Sequence, residues 1–360
     1  MVNFTIFAGG YTSFVASYLF NSEASSLTLL NQSQTGPSPS WITLQGTNSS
    51  ILYAVNEVSS GVLQSFTINS NGSLAGPVDQ VSSGGDGPAY ASALSTGQVA
   101  ILNYGSGNGK IIPTISDPLH FVKNSSLITF APPDGGVSHP HMALEHAAEV
   151  FVSDLGADKI WRLIEAGSPG TWKIQGFIAQ PLGSGPRHMA IFDNELYVLH
   201  ELDNTLTLQA IPPPTVNTST FLANVTIISP SPPAGATFAA AEILIPAPTA
   251  DFPVPYIYVS NRNTGTQDPR GDTIAIFERL STPNSDGSLL TLIAQVYTGL
   301  DQIRGMEFGP AENGGEAYLV ASGFAGTGGV VVYERTAGGR ALKEVARNKD
   351  VLTRTSFVWV

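Results

Sequence analysis

Six histidines and ten arginines are spread through the 360 residues, and a few fall in patterns that could carry chemistry. His139 and His141 flank Pro140 in SHPHMAL, and His188 follows Arg187 in GPRHMAIF. An imidazole titrates near neutral pH, so His141 is a candidate proton donor or acceptor. The alternative is a core or channel-lining histidine satisfied by the backbone. His139 and His141, two residues apart, would share one face of a strand, which raises a metal site with His188 nearby. No matching set of Asp and Glu accompanies them, so no metal is expected. Arg187 and Arg262 (in SNRNTG) are expected at equivalent positions of separate repeats. A guanidinium fork suits a carboxylate or a developing oxyanion; the ordinary alternative is a solvated turn. Arg304 (in IRGMEF) stands where the strand bearing Arg187 would recur. Glu201 (in LHELDN) follows an apolar run as Arg262 does one repeat later. It reads as a general base, a partner that orients His141, or a turn carboxylate paired with arginine. Beside an arginine a carboxylate keeps a low pKa, which favours charge stabilisation over proton transfer. His139, His188 and Arg304 are expected to contact a substrate. Asp154, Asp158, Asp203 and Asn204 fall in the matching turns, where Asx-turns would fix hairpins.

The elements that must position these residues are short strands. Runs rich in Val, Ile, Tyr, Phe and Thr, bounded by Gly, Asn, Asp, Ser and Pro, dominate the chain. ILYAVNEVSSGVLQSFTI (from Ile51), EVFVSDLGADKIWRLI (from Glu149) and ELYVLHELDNTLTLQAI (from Glu195) each give strand, polar turn, strand. A short strand precedes each such unit, as in WITLQG, HPHMALEH, PRHMAIFD and RGMEFGP, and a polar-edged strand follows. Four antiparallel strands recurring at about 45–60 residues define a propeller blade. Six units fit between Trp41 and Lys349. FTIFAGGYTSFVASYLF at the start and SFVWV at the end make no blade alone. Paired, they would supply a seventh blade and remove the open sheet edges. The expectation is an all-β, seven-bladed β-propeller forming a single domain over residues 1–360. Two long loops are expected, IPPPTVNTSTFLANVTIISPSPPAGATF and RNTGTQDPRGDT.

Composition narrows the function. Hydrophobic residues reach 42% and charged residues only 12%, so Ser, Thr, Asn and Gln must make the surface polar. The net charge is −12, and the Lys and Arg residues are scattered singly. Neither nucleic acid nor a membrane surface is an expected partner. With no cysteine there is no disulfide, thiolate nucleophile or thiolate-bound metal. A G-x-S-x-G elbow, a dinucleotide fingerprint and a phosphate loop are all missing.

FAGGYT, SHPHMAL, FVSDLGADKIWRL, GPRHMAIFDNELYVLHELDNTLT and YIYVSNRNTGTQDPRGDTIAIFE together resemble the lactonase propeller family. That family includes fungal carboxy-cis,cis-muconate cyclases and propeller-type bacterial 6-phosphogluconolactonases. The match is best over residues 138–278 and elsewhere lies in layout. The resemblance implies chemistry that opens or closes a lactone ring without a cofactor. In the fungal cyclases the site combines His, Glu and Arg, which by motif fall on His141, Glu201, Arg187 and Arg262. The implied partner is a small lactone or carboxylate. The leading expectation is hydrolysis of a sugar-acid lactone. A muconate-type lactonising isomerase and a non-catalytic carbohydrate-binding or cell-surface propeller are the alternatives.

Asn-x-Ser/Thr sequons occur at Asn3, Asn31, Asn48, Asn71, Asn124, Asn217 and Asn224. This density in turn-rich segments favours N-glycans and a secreted, extracellular protein. The first twenty residues lack a basic stretch followed by an apolar one, so they do not read as a leader. On the secreted reading the leader has already been removed.

Overall fold

The computed structural model describes residues 2–168 and 170–360. Its strands form seven four-stranded antiparallel sheets arranged as the blades of a propeller. The innermost strands of blades 1 to 6 are Ile42–Gln45, Pro88–Ala93, Pro140–His146, Pro186–Phe192, Phe238–Leu244 and Asp301–Phe308. Blade 7 takes its innermost strand, Ser356–Trp359, from the C-terminus and its other three from the N-terminus. Ile6 pairs with Trp359 and Gly9 with Ser356 in that closure. Mutual backbone bonds between Thr5 and Val360, at 2.9 and 2.8 Å, extend it. The expected ring closure is therefore the one observed.

The sequence forms blades because residues alternate along each strand between its two neighbours. In the second strand of blade 7, Asn3–Gly9, Phe4, Ile6 and Ala8 pack towards blade 6, while Phe7 packs towards blade 1. The same alternation gives a buried apolar cluster at each of the seven blade junctions. The core is thus a ring of seven small cores. The outermost strands are mostly exposed or half-buried, and in Ser26–Gln34 more and less exposed positions alternate.

Turns tie each blade to the next. Asn204 takes a left-handed φ of 57° between two strands of blade 4, a conformation Asn tolerates better than most residues. Asp203 accepts from the Thr205 hydroxyl at 2.7 Å, an Asx-type closure of the same hairpin. Asp158 of blade 3 does more, accepting from the amides of Gly183 and Gly185 at 2.7 and 2.9 Å. That fixes the segment leading into the inner strand of blade 4. One expected loop is shorter than supposed, since Phe221–Thr226 within it is the outermost strand of blade 4. Its alternating pattern was masked by flanking prolines.

Candidate active site

The residues able to do chemistry meet at one end of the ring, where inner strands begin and second strands end. A recurring backbone irregularity puts them there. The inner strands of blades 2, 3, 4 and 6 each carry one extra residue relative to the paired second strand, and the extra residues are Ala89, His141, Arg187 and Arg304. Such a bulge breaks the two-residue alternation and re-aims a side chain. A proline stands just before the bulge in blades 2, 3 and 4, where its missing N–H costs least. The second strands supply the rest. Glu57, Tyr104 and Glu201 directly follow the ends of theirs, and Arg262 is the penultimate residue of Ile257–Asn263. Arg187 and Arg262, expected at equivalent positions, are therefore on different strands of their blades, one inner and one second.

Glu57, Tyr104, His141, Glu201, Arg262 and Arg304 line a cavity of about 180 Å³, with Ala89 leaving room where its neighbours carry long side chains. Arg262 Nη2 lies 2.6 Å from Glu201 Oε2, and Arg187 Nε lies 2.9 Å from the same oxygen. The Arg187 contact is an ion pair without a hydrogen bond's alignment, for Nε makes none. Arg187 is fully buried and donates to the Ala241 carbonyl. Arg262 also donates to the carbonyls of Ala239 and Ala240 at 3.3 and 3.2 Å. Across the cavity, Arg304 Nη2 is 3.6 Å from Glu57 Oε2, which accepts from the Tyr11 hydroxyl at 2.7 Å. The Arg304 guanidinium stands over the Tyr11 ring at 5.2 Å. Three arginines thus face two carboxylates.

His141 is 3% exposed, and its Nδ1 is buried without a hydrogen-bond partner. Burial first, then Arg187, His188, Arg304 and Arg262, hold its imidazole well below its ordinary pKa. It is therefore held as a neutral imidazole, and an imidazolium there is disfavoured. The hairpin that presents it is locked by Asp154, whose carboxylate accepts from Ser138 Oγ (2.6 Å), the His139 amide (2.7 Å), the Ala157 amide (3.1 Å) and Trp161 Nε1 (2.8 Å).

Two residues expected to touch substrate are held back from the cavity. His139 stacks on Tyr104, with ring centroids 4.3 Å apart, and its Nδ1 lies 2.8 Å from the Tyr104 carbonyl. Those contacts spend its ring on shaping the strand entry. His188 is fully buried behind His141 and pairs through Nδ1 with Glu242 Oε1 at 2.6 Å. Arg304 does line the cavity. Among the described residues, no group of three or more His, Asp or Glu is arranged to hold a metal ion. Glu57, Tyr104 and Ala89 were not anticipated, although they repeat the strand positions of Glu201 and His141. A larger hollow of about 480 Å³ lies at the opposite end of the ring, beside Gln45, Glu307 and Trp359. It has no arginine or histidine in its wall, so the smaller cavity is the better candidate.

A seven-bladed propeller with a compact, arginine-rich cavity at one end of its ring defines the class of this protein. The family model described as Lactonase, 7-bladed beta-propeller matches residues 5–359, and the chain belongs to that family. A protein from Lactobacillus plantarum is 21% identical, with full coverage of both chains and a TM-score of 0.82. The periplasmic gluconolactonase of Pseudomonas aeruginosa is 19% identical over 100% of this chain and 99% of its own, with a TM-score of 0.81. A candidate 6-phosphogluconolactonase from Bacteroides uniformis is 20% identical over the whole of both chains, with a TM-score of 0.79. At these identities the solved structures support the fold. Comparison with curated proteins finds no match.

Proposed function

We propose that the protein hydrolyses the lactone of a sugar acid in the cavity between His141, Glu201, Arg262 and Arg304. The observation that carries this reading is a neutral, buried imidazole beside guanidinium groups in a space of about 180 Å³, which suits one sugar-sized ring. Family membership supports a lactone as the small-molecule substrate.

In this reading a water attacks the lactone carbonyl while His141 accepts its proton. The carbonyl oxygen becomes an oxyanion facing Arg262 or Arg304. Fixed positive charge in a largely desolvated cavity stabilises that oxyanion without having to reorganise. Glu201 holds Arg187 and Arg262 in place and balances their charge. As the carbonyl re-forms, the bond to the ring oxygen breaks and that oxygen takes the proton from His141. No step needs a group that the chain does not supply.

We also propose an extracellular location with N-glycans. Six of the seven sequon asparagines, Asn3, Asn48, Asn71, Asn124, Asn217 and Asn224, are exposed. Asn31 is partly buried and donates to the Asn71 carbonyl at 2.9 Å, which makes it the poorest acceptor. A mass shift on endoglycosidase treatment of protein from its native host tests this.

The deciding experiment is pH-stat acid release from glucono-δ-lactone and cellobiono-δ-lactone by wild type, His141→Ala and Glu201→Gln. Enzyme-dependent release that collapses in both variants is the expected result. Release no faster than the spontaneous rate on both lactones rejects the hydrolase reading. The surplus of one arginine over the carboxylates then directs the next assay to carboxymuconate cyclisation, whose substrate is a polyanion. Failure there leaves a non-catalytic binding role.

A further inference from the structure

Behind the cavity lies a chain of buried groups that substrate cannot reach. His188 is fully buried. Its ring meets Trp41 of blade 1 at 5.3 Å and 82°, Tyr90 of blade 2 at 5.7 Å and 80°, and His141 of blade 3 at 5.0 Å and 65°. On its fourth side, Nδ1 lies 2.6 Å from Glu242 Oε1 of blade 5. Glu242 is 5% exposed and reaches this place because blade 5 also bulges, between Ala240 and Ile243. Two nitrogens remain without a hydrogen-bond partner, His188 Nε2 and His141 Nδ1. They belong to adjacent rings whose centroids are 5.0 Å apart, and a proton passing between the rings requires the two nitrogens to meet across that gap. With Nδ1 turned inward, Nε2 is the nitrogen of His141 left to meet a ligand. A buried polar atom without a partner costs about 1–3 kcal/mol, so two such atoms side by side need a reason.

From this geometry we infer that Glu242 and His188 are positioning residues that relay a proton to and from His141. The inference rests on the lactone-hydrolase reading. With Glu242 as carboxylate, His188 donates from Nδ1 and accepts at Nε2 from His141 Nδ1–H. His141 then presents an unprotonated Nε2 to the attacking water. As the water oxygen bonds to the carbonyl carbon, the carbonyl π electrons move to oxygen. The water proton passes to His141 Nε2, the proton on His141 Nδ1 to His188 Nε2, and that on His188 Nδ1 to Glu242. Both imidazoles stay neutral throughout. When the carbonyl re-forms, the bond to the ring oxygen breaks and that oxygen takes the proton from His141 Nε2. The chain then runs backwards to its starting state.

Electrostatics explain why a relay is preferable to a lone base. An imidazolium at His141 or His188 is opposed by burial and by Arg187, Arg304 and Arg262. Glu242 is the opposite case. Burial pushes its carboxyl up to about 8 against the pull of Arg187 and Arg304, so the relay runs in the ionised fraction of Glu242, which grows as pH rises towards and past 8. Glu307 of blade 6 is likewise pushed up, to about 8, by burial and by Glu242, and Tyr90 also feels both carboxylates. A proton arriving at Glu242 is therefore better tolerated than one retained on His141.

The test compares wild type and Glu242→Gln, with kcat and KM measured separately from pH 5 to 9 and folding checked by thermal melting. Glutamine fills the same space but cannot accept the proton. A kcat loss of about 100-fold is expected, in the usual range for acid–base contributions. KM should hold within about twofold, and the limb of the kcat profile set by Glu242 should vanish. An unchanged kcat and pH profile in a folded variant overturns the relay. A second measurement needs neither substrate nor the variant: imidazole ¹⁵N shifts of His141 and His188 in wild type over the same pH range. Concerted exchange of the protonated nitrogen in both rings, with no imidazolium, supports the relay even if no lactone is turned over. A fixed tautomer at either ring overturns it even if lactonase activity is found.

Discussion

Glu201 and Arg262 join adjacent blades through a 2.6 Å contact, from a residue just past one second strand to a residue near the end of the next. Arg187 shares the same carboxylate oxygen from below while fully buried. Removing the carboxylate leaves two cations facing each other with reduced compensation, and breaking a buried pair from one side is costly. Glu201→Gln should therefore lower stability by about 2–4 kcal/mol. Adding Arg262→Met should recover part of that loss by removing the repulsion. A double-mutant cycle from urea unfolding measures the coupling. Additive losses would show that the contact contributes no pairwise energy.

Stability should peak in mildly acidic solution. His141, His188 and His200 are all held below the ordinary histidine value, His200 to about 3, chiefly by burial. Below pH about 6.5 the unfolded chain takes up these protons and the folded chain does not. Their contribution is therefore complete above pH about 6.5 and is lost as pH falls, by about 1.4 kcal/mol per group per unit. Glu242 and Glu307 act in the other direction, with Glu307 raised to about 8. The folded state holds their protons while the unfolded chain releases them above about pH 4.5. Their contribution is complete below that and is lost as pH rises towards 8. Between about pH 4.5 and 6.5 the two sets oppose each other. Thermal midpoints should be highest in that window and fall on both sides. A midpoint that climbs steadily from pH 6.5 to 8 would contradict protonated carboxyls at the buried Glu242 and the half-buried Glu307.

The blades were legible because a buried sheet sandwiched between two others leaves a regular trace: apolar runs of fixed length, punctuated by Gly, Asn, Asp and Pro. The ring closure was legible because SFVWV had no other place to pair. His141, Glu201, Arg187 and Arg262 were expected to form the site with Arg304 beside them; His141, Glu201, Arg262 and Arg304 line one cavity, whereas Arg187 is fully buried against Glu201. Glu57 and Tyr104 escaped notice although VNE and LNY repeat the strand-end position of LHE. Superposing the repeats would have exposed them. The bulges left no such trace. One extra residue breaks the alternation at its own position, so alternation alone does not show where His141, Arg187 and Glu242 point. A lone glutamate in AAAEILIP was the only visible sign that a buried polar group lay there.

The seventh blade should be the weakest joint, since it alone is held together without a continuous chain between its inner strand and the rest. Trp359 packs edge-on against Phe4 and Phe20, at 5.6 and 6.1 Å, and donates from Nε1 to the Glu307 carbonyl at 3.2 Å. Trp359→Ala removes a buried aromatic and should cost about 3–5 kcal/mol. Removal of residues 356–360 should go further, exposing a sheet edge and promoting association. Urea unfolding checks the first, and light scattering the second. A monomeric truncation with native stability would show that closure by this strand is dispensable.

Asp154 should link stability to catalysis without touching substrate. It is fully buried, and its two oxygens gather four donors from Ser138, His139, Ala157 and Trp161. Ser138 and His139 lead directly into the inner strand that carries His141, and Pro140 allows no amide to share the load. Asp154→Ala strands those donors, at about 1–3 kcal/mol for each that stays buried and unpaired. Asp154→Asn preserves shape but turns a donor towards donors, so it should rescue little. Both variants should lower thermal stability. Because the strand entry is what sets the His141 ring, the fraction that remains folded should also lose kcat well beyond any change in KM. Titrating active enzyme in each folded preparation separates the two effects. A variant that is less stable yet fully active per folded molecule would show that His141 is held by its own blade packing, with Asp154 contributing only to the hairpin.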